Sequence, residues 1–284
     1  MLMHKYSISS DTIFRSNHMY RLLAIDLDGT LLTPSPHKLI TPRTYKALHK
    51  AVENGMAIVI ATGQMLQVLR AVCAGLPLTA PQIIENGALV VDILSGVVLH
   101  EKLMPVEHIL PTLETLRTFG FFRAYHTYER VYVDYNTPRS RTWYRPPVPP
   151  AVEVEDVASL YPQTCIKIVG IGEENTLREK REELECIFKG KLYVTQSSFD
   201  LLEFLHPEAS KVNALKAIAA DLGIAPEEIV AIGDNHNDIG MIRFAGLGVA
   251  MGNAHDEVKA AADYVTLSNT EDGVAAVIEE LLNR

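Results

Sequence analysis

Three short apolar runs in this chain each end in a cluster of residues suited to chemistry, and segments with helical periodicity separate them. The first, RLLAI at 21–25, runs into Asp26, Leu27, Asp28, Gly29 and Thr30. The second, MAIVIA at 56–61, ends in Thr62 and Gly63, and the third, EIVAI at 228–232, runs into GDNHND with Asp234, Asn237 and Asp238. Short buried strands alternating with helices need crossover connections, which specifies an α/β fold with a doubly wound, mostly parallel sheet. Ligands of such sheets gather at the carboxyl ends of the strands, where these clusters stand.

Asp26 and Asp28 lie two apart, so in strand geometry their side chains point to one side. Two like charges so placed repel unless a divalent cation or a shared proton compensates; an Asp/Gly turn is the plainer alternative. Thr62 and Gly63 offer a hydroxyl and an open backbone N–H to an anion, or simply a turn. Lys211 opens SKVNALKAIAADLG, where Ser210 suits an N-cap and Val212, Leu215, Ile218, Ala219 and Leu222 follow helical spacing. A cation in the first turn is opposed by the helix dipole, so it is either a solvated side chain or a partner for an anion bound at the helix start.

Taken in order, these segments resemble the haloacid dehalogenase superfamily, most closely its Cof-type phosphatases of small phosphorylated metabolites. ENGA at 85–88, AGLGVAMGNA at 245–254 and EDGVAAVIEELL at 271–282 extend the resemblance, which covers residues 20–284. It implies that Asp26 is a nucleophile that becomes phosphorylated, and that Asp28 protonates the leaving oxygen and then activates water. It also implies that Leu27, Thr62, Gly63 and Lys211 contact the phosphate, with Lys211 serving catalysis too. Asp26, Asp28 (through its carbonyl) and Asp234 would bind Mg²⁺, with Asn237 and Asp238 orienting them. Such proteins usually carry Arg after the Thr-Gly pair, whereas this chain has Gln64, which keeps hydrogen-bonding capacity without charge.

The resemblance divides the chain into an extension at 1–18, a Rossmann-like core at 19–88 and 194–284, and an inserted α+β cap at 89–193 that reads the leaving group. The extension is either a tail or the product of a start site placed too early, since MYRLLAIDLDGT from Met19 looks like a natural beginning. Helices are expected at 42–54, 64–73 and 270–282, the last capped by Thr270, and core strands near 83–85, 229–232, 248–250 and 264–266. In the insert the expectation is a hairpin at 90–101, helices at 106–119 and 175–188, and strands at 125–134 and 164–171. Arg123, Tyr125, His126, Arg130, Arg139, Arg141 and Lys167 are candidate substrate readers, and RTWYRPPVPP at 141–150 reads as a rigid loop.

With 284 residues and 48% hydrophobic content, the chain can bury a sizeable core. Its 35 acidic and 26 basic residues give a net charge of −9, which argues against nucleic acid or anionic membrane as a partner. Cys73, Cys165 and Cys186 are scattered and read as buried thiols, and no His pattern suggests zinc; His236 reads as a loop residue. No run approaches the ~18 apolar residues of a membrane span, so the cytoplasm is the expected location. Two other functions share these motifs: a phosphotransferase or phosphomutase, and a phosphoacceptor module without turnover. An acceptor has no use for Asp28.

Overall fold

The computed structural model describes residues 20–34, 37–135, 148–198 and 200–283. In chain order its elements are β1 (Leu22–Asp26), α1 (Pro42–Glu53), β2 (Ala57–Ala61), α2 (Leu66–Val72), β3 (Gln82–Ile84), β4 (Leu89–Val91), β5 (Val98–Glu101) and α3 (Val106–Thr118). There follow β6 (Phe122–His126), β7 (Val131–Val133), β8 (Val152–Glu153), β9 (Lys167–Ile171), α4 (Glu174–Phe188), β10 (Tyr193–Ser198) and β11 (Leu201–Leu205). The chain closes with α5 (Lys211–Leu222), β12 (Ile229–Gly233), α6 (Ile239–Phe244), β13 (Leu247–Ala250), α7 (Asp256–Ala261), β14 (Tyr264–Val265) and α8 (Gly273–Leu282).

The chain forms two compact units. The first holds the described residues up to Ile60, Gly75–Ala80 and everything from Ala219 onward. Its strands run in the order β14-β13-β12-β1-β2. β1 pairs with β12, β12 with β13 and β13 with β14, all parallel, with Leu22 opposite Ile229 and Val230 opposite Leu247. Every residue of β1 and β12 is buried, which is why both read as continuous apolar runs rather than alternating ones. Thr41 caps α1 by accepting from the Thr44 N–H, with Pro42 at the first helical position, as the Thr-Pro pair foretells. α8 starts at Gly273, not at Thr270. The Glu271 carboxylate bonds the Ser268 N–H and hydroxyl and closes a separate turn, and left-handed Asp272 (φ 59°) precedes the helix.

The second unit holds Ala61–Ala74 and Pro81–Ile218. Ala61 pairs with Ile83 in parallel, β3 with β4 and β4 with β5 antiparallel. The hairpin expected at 90–101 is therefore present, and it extends β3. A six-stranded sheet runs β10-β11-β9-β6-β7-β8, antiparallel except at β7–β8. It draws β10 and β11 from beyond residue 193. The strand expected at 125–134 is a hairpin of β6 and β7, turned between Thr127 and Arg130. Period-two alternation sends the apolar residues of this sheet to two cores, one on each face. Tyr125, Ile168, Leu202 and Phe204 pack with Ile109, Leu113 and Leu116 of α3 and Leu177, Leu184 and Phe188 of α4. Ala124, Val169, Ile171 and Leu201 pack with Met65 and Val68 at α2. The helix expected from Gln64 begins at Leu66, because Gln64 is held in the preceding turn.

Cys73 and Cys165 are buried, and burial pushes the Cys73 thiol up to about 12; Cys186 is exposed, contrary to expectation, on the outer face of α4. No helix among the described residues is long and apolar enough to cross a membrane.

Candidate active site

The carboxyl ends of β1 and β12 bring Asp26, Asp234 and Asp238 together: one carboxylate oxygen of each lies within 4.8 Å of the others. Asp26 and Asp238 are buried, Asp234 partly so. β1 does not continue as a regular strand past Asp26. The chain turns sharply through 27–31, with Asp28 extended (φ −81°, ψ 121°) and Gly29 left-handed (φ 86°). Gly29 also lies against the Asp234 carboxylate, where a Cβ would stand 2.3 Å from Oδ2, so both the turn and the close approach require glycine. Thr30, buried in the same turn, donates its hydroxyl to Asp234 Oδ1 at 2.7 Å.

Asp238 has a different geometry. Its Oδ2 accepts from the N–H groups of Asp234 and Asn235, each at 3.0 Å, which fixes the loop that carries Asp234. Asn253 donates from Nδ2 to the Gly29 carbonyl at 2.8 Å, and its Oδ1 receives the Asn269 N–H at 2.9 Å. Asn237 occupies the turn between Asn235 and Asp238. His236 lies outside the carboxylate group, stacked near His255 and facing Glu257 at 3.7 Å, in keeping with a loop role. Asp28 does not join that group; its partly exposed carboxylate pairs with Lys38 Nζ at 2.6 Å.

In the second unit, Thr62 is buried and its hydroxyl accepts the Gln64 N–H at 3.1 Å, a tight turn that leaves the hydroxyl proton directed elsewhere. Lys211 is the first residue of α5 and only 2% exposed. Ser210 accepts the Asn213 N–H at 3.3 Å, the expected cap. Beside these turns lies a buried polar group that sequence reasoning treated only in part. Lys167 Nζ contacts Glu85 Oε2 at 2.7 Å and Glu203 Oε2 at 2.8 Å, and donates to the Gly63 carbonyl at 3.1 Å. Burial alone would raise the Glu85 carboxyl, but Lys167 and His126 outweigh it and hold Glu85 down at about 2. The same two carboxylates raise Lys167 above its ordinary value against the effect of burial. The sequence signal was a lone charge inside an apolar strand, in CIKIVG and LLEFL.

Most of the candidate readers have other employment. Arg123 makes a bidentate pair with Asp134, 2.7 and 2.8 Å, and a further contact to Asp156. Tyr125 is buried and its hydroxyl donates to the Gln163 carbonyl. His126 faces Glu85 at 3.7 Å. Arg130 is exposed; Arg139, Arg141 and the Pro-rich loop up to residue 147, like residues 1–18, lie outside the described residues.

A family model described as haloacid dehalogenase-like hydrolase matches residues 23–278. The 5-amino-6-(5-phospho-D-ribitylamino)uracil phosphatase YcsE of Bacillus subtilis is 33% identical, with 91% of this chain and 94% of that one covered. Pyridoxal phosphate phosphatase YbhA of Escherichia coli is also 33% identical, covering 91% and 97%. Among solved structures, a haloacid dehalogenase-like hydrolase from Bacteroides thetaiotaomicron superimposes with a TM-score of 0.81 at 30% identity, covering 92% of this chain and 99% of that one.

Proposed function

The chain belongs to the haloacid dehalogenase-like hydrolases and is a phosphoric monoester hydrolase, and from that premise we propose that it is a Mg²⁺-dependent phosphatase of small phosphorylated metabolites working through a phosphorylated Asp26. The observation that carries the reading is the convergence of Asp26, Asp234 and Asp238 at the ends of β1 and β12. Three carboxylates within 4.8 Å form a hard, all-oxygen donor set whose mutual repulsion calls for a cation, and that suits Mg²⁺. Asp26 and Asp234 would hold the ion with the Asp28 carbonyl, while Asp238, already bonded to two backbone N–H groups, orients the loop. When bound, the ion offsets the repulsion between the Asp26 carboxylate and a phosphate dianion.

In the proposed reaction an Asp26 carboxylate oxygen attacks phosphorus, and the bond from phosphorus to the leaving oxygen breaks as that oxygen takes a proton from Asp28. Asp28, now ionised, removes a proton from water, which attacks the phosphoryl group, breaks its bond to Asp26 and releases phosphate. The Thr62 hydroxyl, the Leu27 and Gly63 backbone N–H groups and the Lys211 ammonium bind the equatorial oxygens, where transition-state charge collects. Lys38 pairs with the partly exposed Asp28 carboxylate at 2.6 Å.

We propose a sugar phosphate or a phosphorylated cofactor precursor as substrate. The relatives named for 5-amino-6-(5-phospho-D-ribitylamino)uracil and for pyridoxal phosphate support the class, and a net charge of −9 suits a small anion drawn by local charge better than a long polyanion. The segment at 89–193 is proposed as the cap that reads the leaving group, and the cytoplasm as the location. A panel of phosphorylated metabolites assayed with Mg²⁺ and with excess chelator tests the reading. Metal-dependent release of phosphate from one compound class supports it, and equal release under chelation contradicts it.

A further inference from the structure

The turn Glu85–Asn86–Gly87 is left-handed at all three residues, with φ of 50°, 55° and 91°. Consecutive left-handed non-glycine residues are costly and persist only where surrounding contacts hold them. Here the contacts run to both phosphate-binding candidates of the second unit. On one side the Thr62 N–H donates to the Ile83 carbonyl at 2.9 Å, the Glu85 N–H to the Gln64 carbonyl at 3.1 Å and the Asn86 N–H to the Thr62 carbonyl at 3.0 Å. On the other, Gly87 lies against the start of α5, where a Cβ would stand 2.2 Å from the Ser210 carbonyl and 2.8 Å from the Lys211 nitrogen.

Side chains lock the same turn. The Lys167 ammonium donates to Gly63 O and Glu203 Oε2 and pairs electrostatically with Glu85 Oε2 at 2.7 Å. Asn86 Nδ2 donates to Glu203 Oε2 at 2.9 Å. Glu85, Asn86, His126, Lys167 and Glu203 are all at least 96% buried. A buried ion network adds little stability over an apolar core, and what this one supplies is a fixed geometry. Resting on the assignment of Thr62, Gly63 and Lys211 to phosphate, we infer that Lys167, with Glu85 and Glu203 as counter-charges, is a positioning residue: it sets the Thr62–Gly63 turn and, through the left-handed turn at 85–87, its register with the start of α5. With its buried ammonium held by the Gly63 carbonyl and the Glu85 and Glu203 carboxylates, Lys167 is not a reader of the leaving group.

The test is Lys167→Met in the full chain, a change that keeps length and removes charge and donors. Titration calorimetry with inorganic phosphate in the presence of Mg²⁺ should give a Kd raised at least about tenfold, since deleting a group that positions a binding site typically costs that much. The Mg²⁺ concentration for half-maximal activity should stay unchanged, and amide exchange at 62–64 should quicken. A folded variant with unchanged phosphate Kd overturns the inference, as does a parallel loss of phosphate and Mg²⁺ affinity, which marks general loosening. If Lys167→Met does not fold, Glu203→Gln, which keeps size, is judged by the same criteria. Lys211→Ala separates the two levels: unchanged phosphate affinity there contradicts the phosphate-site reading itself, whereas its loss there with none in Lys167→Met contradicts only the positioning role.

Discussion

Thr30 and Asp234 stand 204 positions apart in the chain and are joined by a 2.7 Å hydrogen bond from hydroxyl to carboxylate. The contact ties the turn after β1 to the loop after β12, so the threonine of the first motif orients a carboxylate of the last. Thr30→Val keeps the shape and deletes the donor. The Mg²⁺ concentration for half-maximal activity should rise about tenfold or more, as for other partners of metal ligands. An Mg²⁺ titration of activity checks this.

Asp234→Ala removes a proposed ligand and relieves repulsion among the three carboxylates. Its Mg²⁺ requirement should rise far more than its thermal midpoint falls. Ca²⁺ should inhibit the parent enzyme, because its larger and looser coordination misplaces nucleophile and phosphate. Thermal melts beside metal titrations separate the two effects.

Asp28→Asn retains the backbone carbonyl but has no titratable proton to give. Turnover should fall by about 10²- to 10⁴-fold while Mg²⁺ and phosphate affinities hold. Unchanged turnover, measured with the best substrate of the panel, would favour a phosphoacceptor without hydrolysis.

Glu85 is held at about 2 against an ordinary 4.5, so the folded state binds its proton less readily than the unfolded chain. Its contribution to stability is therefore complete above pH 4.5 and is lost as pH falls toward 2. The difference in urea midpoint between the parent and Glu85→Gln should be largest above pH 4.5 and shrink below it. Glu85→Ala, which leaves Lys167 short of a buried partner, should cost about 3–5 kcal/mol.

The parallel strands were legible because burial on both faces makes them continuous apolar runs, and the acidic and Thr-Gly clusters mark where those runs stop. Asp26, Asp234 and Asp238 could be named from sequence for that reason. The hairpin at 90–101 was legible as a hairpin, those of β6–β7 and β10–β11 were not, and nothing in Leu89–Val91 or Tyr193–Ser198 states which sheet those strands join, since pairing is decided by tertiary packing. The Thr270 cap failed because the left-handed Asp272 breaks the backbone just before Gly273, where the helix starts. Lys167 read as a candidate substrate reader and Glu203 was not singled out, because partners 36 residues apart leave no local spacing to read.

In the proposed reaction Asp26 carries the phosphoryl group. Acid quench during turnover with Mg²⁺, followed by peptide mass mapping, tests it directly. One phosphoryl adduct is expected on the peptide holding Asp26, accumulating more in Asp28→Asn if hydrolysis slows more than transfer, and absent from Asp26→Asn, whose activity falls by several orders of magnitude. An adduct at another residue, or more than about a tenth of parental activity in Asp26→Asn, would contradict it.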